Sequence, residues 1–405
     1  MSAMNLIART AALLMVGFGL ASLGCEKPSG GTGGGGATKS GETGTPGSPK
    51  EDGDAGQIVI GHYASLTGSE ATFGISTDNG IKMAVEERNK AGGVKGRQVK
   101  LVTLDNQGKP QETQTVVTRL IEQNEVVAVL GEVASSRSLA GAPICQRKGV
   151  PMISPSSTNP DVTAVGDMIS RVCFIDPFQG LVGAKFAREN LNLSKGATLY
   201  NRAQAYSSGL NTNFKEAFTK MGGQIVSEQA YSDGDNDFSA QLTAIREQGP
   251  EFIYVPGYYT EVVNIARQAR KLGITVPLIG GDGWDSEELK NAGDALNNCY
   301  FSNHYSHEDT RTEVQEFVKK YQEQYGKVPD GLAALGYDAA RLLFDAMERA
   351  PSMSGKDLAS AINSTQNFAG VTGAISIDEN RNANKSAVIL EVVNGQPKYK
   401  ATVKP

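Results

Sequence analysis

Histidine, tryptophan and cysteine are scarce in this chain, with three, one and four copies in 405 residues. The histidines stand at 62, 304 and 307, so there is no H-E-x-x-H pair and no Cys/His cluster with zinc spacing, and no metal site is expected. His304-Tyr305-Ser306-His307 has no cysteine or third histidine beside it and reads as a crossover loop; His62 has no nucleophile or carboxylate partner in its surroundings. There is no G-x-x-x-x-G-K-[ST] and no G-x-G-x-x-G after the first strand, so phosphate-cradling and dinucleotide cofactors are not expected. Aromatics make up 7% of the chain and the formal net charge is −5, which leaves no basic, aromatic-rich face for nucleic acid. After Leu23 no apolar run reaches the roughly 20 residues of a membrane helix. With no visible nucleophile–base pair, an enzyme acting on amides or peptides lacks parts.

What is present begins with an address. Met1 to Arg9 carries a positive charge, Thr10 to Leu23 is apolar and small, and Gly24-Cys25 follows. This reads as a secretory signal peptide over 1–24. The cysteine directly after a small residue resembles a bacterial lipobox, in which Cys25 becomes the lipidated first residue; Ser22 stands where leucine is usual. Residues 25–56 then hold mostly Gly, Ser, Thr, Pro and Lys and cannot bury a core. As a Gly/Ser-type tether they would reach about 30 Å on average. In an oxidising compartment the remaining cysteines, Cys145, Cys173 and Cys299, are odd in number: a Cys145–Cys173 pair and three isolated buried thiols are both open.

Residues 57–405 are too many for one core and suit two lobes. Gln57–Tyr63 alternates as a strand, a helix runs from about Gly74 to Lys90 and stops at Ala91-Gly92-Gly93, and Val99–Leu104 is the next strand. Near Asp176-Pro177-Phe178 the βα pattern restarts, with strands at 197–200, 224–229, 252–255 and 277–279. Lys215 to Gly223 (KEAFTKMGG) echoes Val85 to Gly93 (VEERNKAGG), as two lobes of one topology would. At Tyr300-Phe301-Ser302 the chain crosses back into long helices over 313–325 and 332–350. Three crossings make a hinge. The expected fold is α/β, with lobes 57–176 plus 302–389 and 177–301 plus 390–405.

The stretch Val126 to Pro160 organises the rest. Val126-Val127-Ala128-Val129-Leu130 reads as a strand buried on both faces. Ser135 and Ser136 stand at the N-cap of the next helix, and a second strand over 150–154 opens into Pro155-Ser156-Ser157-Thr158-Asn159-Pro160. The helix returns the chain, so both loops lie at one sheet edge, where open α/β sheets bind ligands. Free N–H groups at the helix start beside Ser135 and Thr158 suit a carboxylate, although each of these residues alone also fits capping and turn duty. Elsewhere at strand ends stand Phe73, Tyr206, Tyr258, Asp282 and Trp284. Asp282, in Gly280-Gly281-Asp282-Gly283-Trp284-Asp285, suits an ammonium, with Asp285 as the cap of the following segment.

These residues resemble the type I periplasmic solute-binding proteins, in the leucine/isoleucine/valine-binding branch of ABC transporters. The likeness covers Ile58 to about Val393. It is carried by Gly68 to Gly74 with the helix to Gly93, Gly131 to Ser136, Pro151 to Pro160, Asp176 to Gly180, Tyr254 to Gly273 (YVPGYYTEVVNIARQARKLG) and Gly280 to Asp285. The resemblance implies two Rossmann-like lobes with parallel sheets around a three-crossover hinge. It also implies a monomer that closes on a small amino acid and docks on a permease from a membrane tether facing the periplasm. By the same resemblance Ser135 and Thr158 hold the ligand carboxylate, a Ser156 carbonyl and Asp282 hold the amine, and Phe73, Tyr206, Tyr258 and Leu332 wall the cleft, with Trp284 adding to an apolar side. Asp282 is a methylene shorter than the glutamate common in the leucine-type binder. Gly108 and Ala134 stand where the family has a first-lobe disulfide. Two rivals share the fold: a ligand-sensing receptor subunit and a binder of small amides or urea.

Overall fold

The computed structural model describes residues 56–404. The signal segment, the lipidation candidate Cys25 and nearly all of the tether lie outside the described residues. Five strands, β1 (Ile58–Ala64), β2 (Val99–Asp105), β3 (Ala128–Leu130), β4 (Met152–Ser154) and β5 (Ile169–Arg171), form an all-parallel sheet in the order β2-β1-β3-β4-β5. Ile60 pairs with Leu101 on one side and Ala128 on the other, and Val129 pairs with Met152. The unbroken apolar run at 126–130 is explained by this placement, since every residue of β3 and β4 is buried while β2, at the edge, is only partly covered. Around the sheet run α1 (Ala71–Lys90), α2 (Pro110–Glu122), α3 (Ser135–Lys148) and the single turn α4 (Asp161–Ala164).

The second sheet takes β6 (Lys195–Asn201), β7 (Gln224–Tyr231), β8 (Phe252–Val255), β9 (Leu278–Gly280) and β10 (Cys299–Asn303) as parallel strands. Between and before them lie α5 (Asp176–Lys185), α6 (Ala205–Lys220), α7 (Ser239–Glu247) and α8 (Tyr259–Lys271). The chain then returns to the first lobe as α9 (Thr312–Tyr325), α10 (Gly331–Arg349) and α11 (Gly355–Asn363), with a small sheet of β11 (Phe368–Gly370), β12 (Gly373–Ile377) and β13 (Ala383–Asn384). It ends as an antiparallel pair, β14 (Ala387–Val393) and β15 (Gln396–Val403), that extends the second sheet to β15-β14-β10-β9-β8-β6-β7. The lobe boundaries expected at 302 and 389 therefore fall inside β10 and β14. The crossings follow Arg171, Asn303 and Asn384 instead. Strand pairing continues through Ser302 and Asn303, just beyond the Tyr300-Phe301-Ser302 crossing that the sequence pattern gives.

The helix packing that fixes the first lobe is a close crossing of α1 and α10. Gly80 lies against the Ala333 carbonyl so tightly that a Cβ there would collide with it, and Thr77 occupies the corresponding space over Gly336. Two facing positions without side chains let the backbones approach, and the buried Ile81, Ala84, Leu335 and Ala340 fill the remaining seam. The described cysteines, Cys145, Cys173 and Cys299, are free and buried, which decides between the two open alternatives in favour of isolated thiols. Burial pushes the Cys145 and Cys173 thiols up to about 12, so neither is poised to react.

Candidate functional site

The C-terminal ends of β1, β3 and β4 in one lobe face those of β6, β8 and β9 in the other, and their loops meet around a small cavity. From the first lobe come Phe73, Val133, Ser156 and Leu332; from the second come Tyr206, Tyr258, Asp282 and Gly283. The free space is about 10 Å³, room for about one water with the lobes as they stand. The aromatic wall is ordered by its own packing. Tyr206 and Tyr258 stack with ring centroids 5.3 Å apart and planes 5° from parallel, and Phe73 meets Tyr258 edge-on at 5.5 Å.

The lobes also bond to each other directly. Ala205 N donates to Ser136 Oγ (3.1 Å), Asn159 Nδ2 donates to Ala205 O (3.0 Å), and Tyr259 Oη donates to Ser69 O (2.8 Å). Ser136 therefore serves the opposite lobe. The N-cap of α3 is Ala134, with no side-chain cap, and Ser135 is the first helical residue. Its Oγ accepts from Asn159 N at 3.3 Å, tying the two hydroxyl-rich loops together.

Several polar atoms around the cavity are buried and unpartnered within the protein: Ser156 Oγ, Thr158 Oγ1 and Tyr258 Oη. Such groups cost about 1–3 kcal/mol each unless something satisfies them. Asp282 is differently placed. Its Oδ1 accepts from Gln179 Nε2 (2.8 Å) and its Oδ2 pairs with His304 Nε2 (3.0 Å), and among the described residues no lysine or arginine reaches it. Behind Thr158 lies a second carboxyl, Asp176, fully buried and without a hydrogen bond of good geometry on either oxygen. Burial pushes it up to about 8, opposed by the nearby Thr158 hydroxyl and reinforced by the charge of Asp282. At neutral pH it is mostly a neutral acid and does not repel an anion held at Thr158.

Six of the nine sequence-predicted ligand residues, Phe73, Ser156, Tyr206, Tyr258, Asp282 and Leu332, line this one cavity. Ser135 and Thr158 lie in its loops, just outside the lining. Trp284 does not face it: the indole is fully buried, donates from Nε1 to Val255 O (2.9 Å) and leans on Phe301. Gly280 and Gly281 leave room for protein and not for ligand, since a Cβ on the first would strike the Trp284 indole and on the second the Tyr206 hydroxyl. Asp285 is corrected as well. Ser286 caps its own segment, while Asp285 Oδ2 accepts from Asn303 Nδ2 (2.7 Å) and, across the lobes, from Gly331 N at the start of α10 (2.6 Å).

A family profile described as "Periplasmic binding protein" matches residues 57–397. The chain belongs to that family. Among solved structures, this periplasmic binding protein superposes on a leucine-binding protein LivK from Thermotoga maritima with a TM-score of 0.83 and 41% identity, covering 86% of this chain and 99% of that one. It superposes on LivJ from Streptococcus pneumoniae, in complex with isoleucine, with a TM-score of 0.82 and 33% identity over 86% and 100% of the two chains. A leucine-, isoleucine-, valine-, threonine- and alanine-binding protein of Pseudomonas aeruginosa is 29% identical over 80% of this chain and 87% of its own. An amino acid binding protein of the same organism is 33% identical, but the match spans 62% of that relative's length.

Two supporting residues of this binding protein escaped the sequence reading. Glu132, buried, accepts from Ser65 N, Ser65 Oγ, Asn106 Nδ2 and Ala134 N, while its backbone oxygen takes the hydroxyls of Ser138, Ser154 and Ser157. Arg171, fully buried, donates to the carbonyls of Ser157 and Asn159 (the latter at 2.8 Å) and to Thr163 Oγ1 at 3.1 Å. Between them they hold the 131–136 and 155–160 loops in place. Their signal in the sequence was a lone acid and a lone base in otherwise apolar strand ends.

Asp285 is expected to make closure depend on pH. Burial and the neighbouring Asp330 charge hold its carboxyl above the ordinary range, against the Asn303 and Gly331 donors that pull it down; opening the lobes would expose it and part it from Asp330. A carboxyl raised in the closed form favours closure fully below the ordinary value of about 3.9 and less as pH rises beyond it. Ligand affinity should therefore fall as pH rises, by up to about tenfold per unit for one proton. Asp285→Asn, which keeps an acceptor for Gly331 N, should flatten the profile; an unchanged slope in calorimetry would remove Asp285 from the account.

Proposed function

We propose that this protein is the extracytoplasmic solute-binding component of an ABC transporter, capturing an amino acid with a branched or otherwise apolar side chain by closing its lobes. The observation that carries the reading is the division of the cavity. Unpartnered hydroxyls at Ser156 and Thr158, in the α3-side loops with Ser135, lie on one lobe, a carboxylate without a cation, Asp282, lies on the other, and Phe73, Val133 and Leu332 supply an apolar wall. A zwitterion satisfies both polar ends at once, with its carboxylate on hydroxyl and N–H donors and its ammonium at Asp282. The leucine- and isoleucine-binding neighbours support the same ligand class. In this reading the protein is held to the membrane through a lipidated Cys25 and presents its closed form to a permease.

A thermal-shift panel of the amino acids, with urea and short amides included, tests it. Leucine, isoleucine or valine at 100 times its dissociation constant should add about 2.7 kcal/mol. Stabilisation by urea or amides alone would replace the amino acid with a smaller polar ligand.

A further inference from the structure

We infer that His304, together with Gln179, is a positioning residue for charge selection: the two hold the Asp282 carboxylate toward the cavity with neutral donors only, leaving a ligand's cationic amine as its counter-ion. The inference rests on the amine reading of Asp282 above and goes beyond it by naming what sets that selectivity. The geometry is complete on the protein side. Each Asp282 oxygen has one protein partner, Gln179 Nε2 at 2.8 Å and His304 Nε2 at 3.0 Å, and Gln179 is itself steadied by Ser302 Oγ at 3.1 Å.

The imidazole is clamped in turn. It is fully buried, its ring lies on Phe174 with centroids 3.6 Å apart and planes 23° from parallel, and its backbone N–H is held by Asn303 Oδ1 at 2.8 Å. His304 Nδ1 has no partner, so a neutral ring must carry its proton on Nε2, where the carboxylate accepts it. The charged groups acting on the ring are Asp282 and Lys385. Burial outweighs the attraction of Asp282 and draws the imidazole down to about 4, with Lys385 acting in the same sense, so at neutral pH it adds no positive charge. An arginine or lysine in its place would fill the role of the ligand's amine. A neutral donor orients the anion and leaves its charge unanswered.

The position of His304 matters as much as its chemistry. It follows β10 in the second crossover, Phe174 lies in the first, and Lys385 lies in the third, between β13 and β14. The group that steadies the amine-binding carboxylate is therefore built into the segments on which the lobes turn.

The test compares L-leucine with its 2-hydroxy acid by calorimetry at pH 7 on wild type, His304→Phe, His304→Gln, Gln179→Met and Asp282→Asn, each checked for a native melt. His304→Phe keeps an aromatic ring on Phe174 but has no donor. It should lose leucine affinity at least tenfold while the hydroxy acid changes no more than about twofold, and His304→Gln, which retains an N–H, should restore most of the loss. Gln179→Met should lose leucine affinity selectively as well. If His304→Phe does not fold, the Gln179→Met and His304→Gln pair still decides the matter. Equal losses for both ligands in the His304 and Gln179 variants would make these residues structural and overturn the inference. If Asp282→Asn fails to separate the two ligands, or wild type binds both equally or neither, the amine reading itself falls and the inference with it. A selective effect of Asp282→Asn beside unaltered His304→Phe and Gln179→Met would keep the first and discard the second.

Discussion

Asp282→Asn should weaken binding of an apolar amino acid by about 3–5 kcal/mol, or two to three and a half powers of ten in dissociation constant. The size follows from desolvation. In the proposed closed complex the ligand's ammonium is out of water, and the substitution would leave it without its anion while removing little volume. Asp282 is only 5% exposed and its other hydrogen bonds come from Gln179 and His304, so no second carboxylate of the cavity lining can take its place. Ser135→Ala, which deletes one hydrogen-bonding group of several at the carboxylate end, should cost less, about 1.5–3 kcal/mol. Calorimetry showing a loss below about 1 kcal/mol for Asp282→Asn would mean that the short side chain shapes its loop and that the amine is read by backbone carbonyls alone.

Trp284→Ala should destabilise the second lobe by about 3–5 kcal/mol. The indole is completely buried beside β9, fills the space left by Gly280, packs on Phe301 of β10 and satisfies the Val255 carbonyl at the end of β8. Its removal opens a cavity under the Asp282 turn and takes one of two donors from that carbonyl, which keeps Gly257 N. Denaturant unfolding should show the loss in midpoint, and leucine affinity should fall as well because the turn loses its support. A variant with native stability and a changed ligand preference would return Trp284 to the cavity wall.

The βα winding was legible because its strands are buried on both faces and therefore read as apolar runs, as at 126–130. The position of the site was legible for the same reason, since parallel strands joined by helices bring their C-terminal loops to one edge. Phe73, Tyr206, Tyr258 and Leu332 sit together as the family resemblance implies. What failed depended on partners far off in sequence. Trp284 between Gly283 and Asp285 looks alike whether it faces ligand or core, and the deciding acceptor, Val255, is 29 residues away. Asp285 accepts from the first N–H of a helix 46 residues further on, whose own cap is Asp330, so local spacing could not place it. β15 was missed because it is an edge strand with mostly exposed polar residues and a proline, carrying little of the alternation that marks a half-buried strand.

The paired bonds of Ala205 to Ser136 and Asn159 contain no ligand atom. Whatever they contribute is available to the empty protein, so they raise the fraction of molecules that are shut with nothing inside. Every such bond lowers the conformational tax on capture, since the apparent dissociation constant is the intrinsic one divided by the competent fraction. In the proposed transport role it would also raise the background of vacant closed molecules offered to a permease. The strength of this seam sets a trade between sensitivity to scarce solute and futile docking, and it can be tuned at Ser136 and Asn159 without touching the cavity.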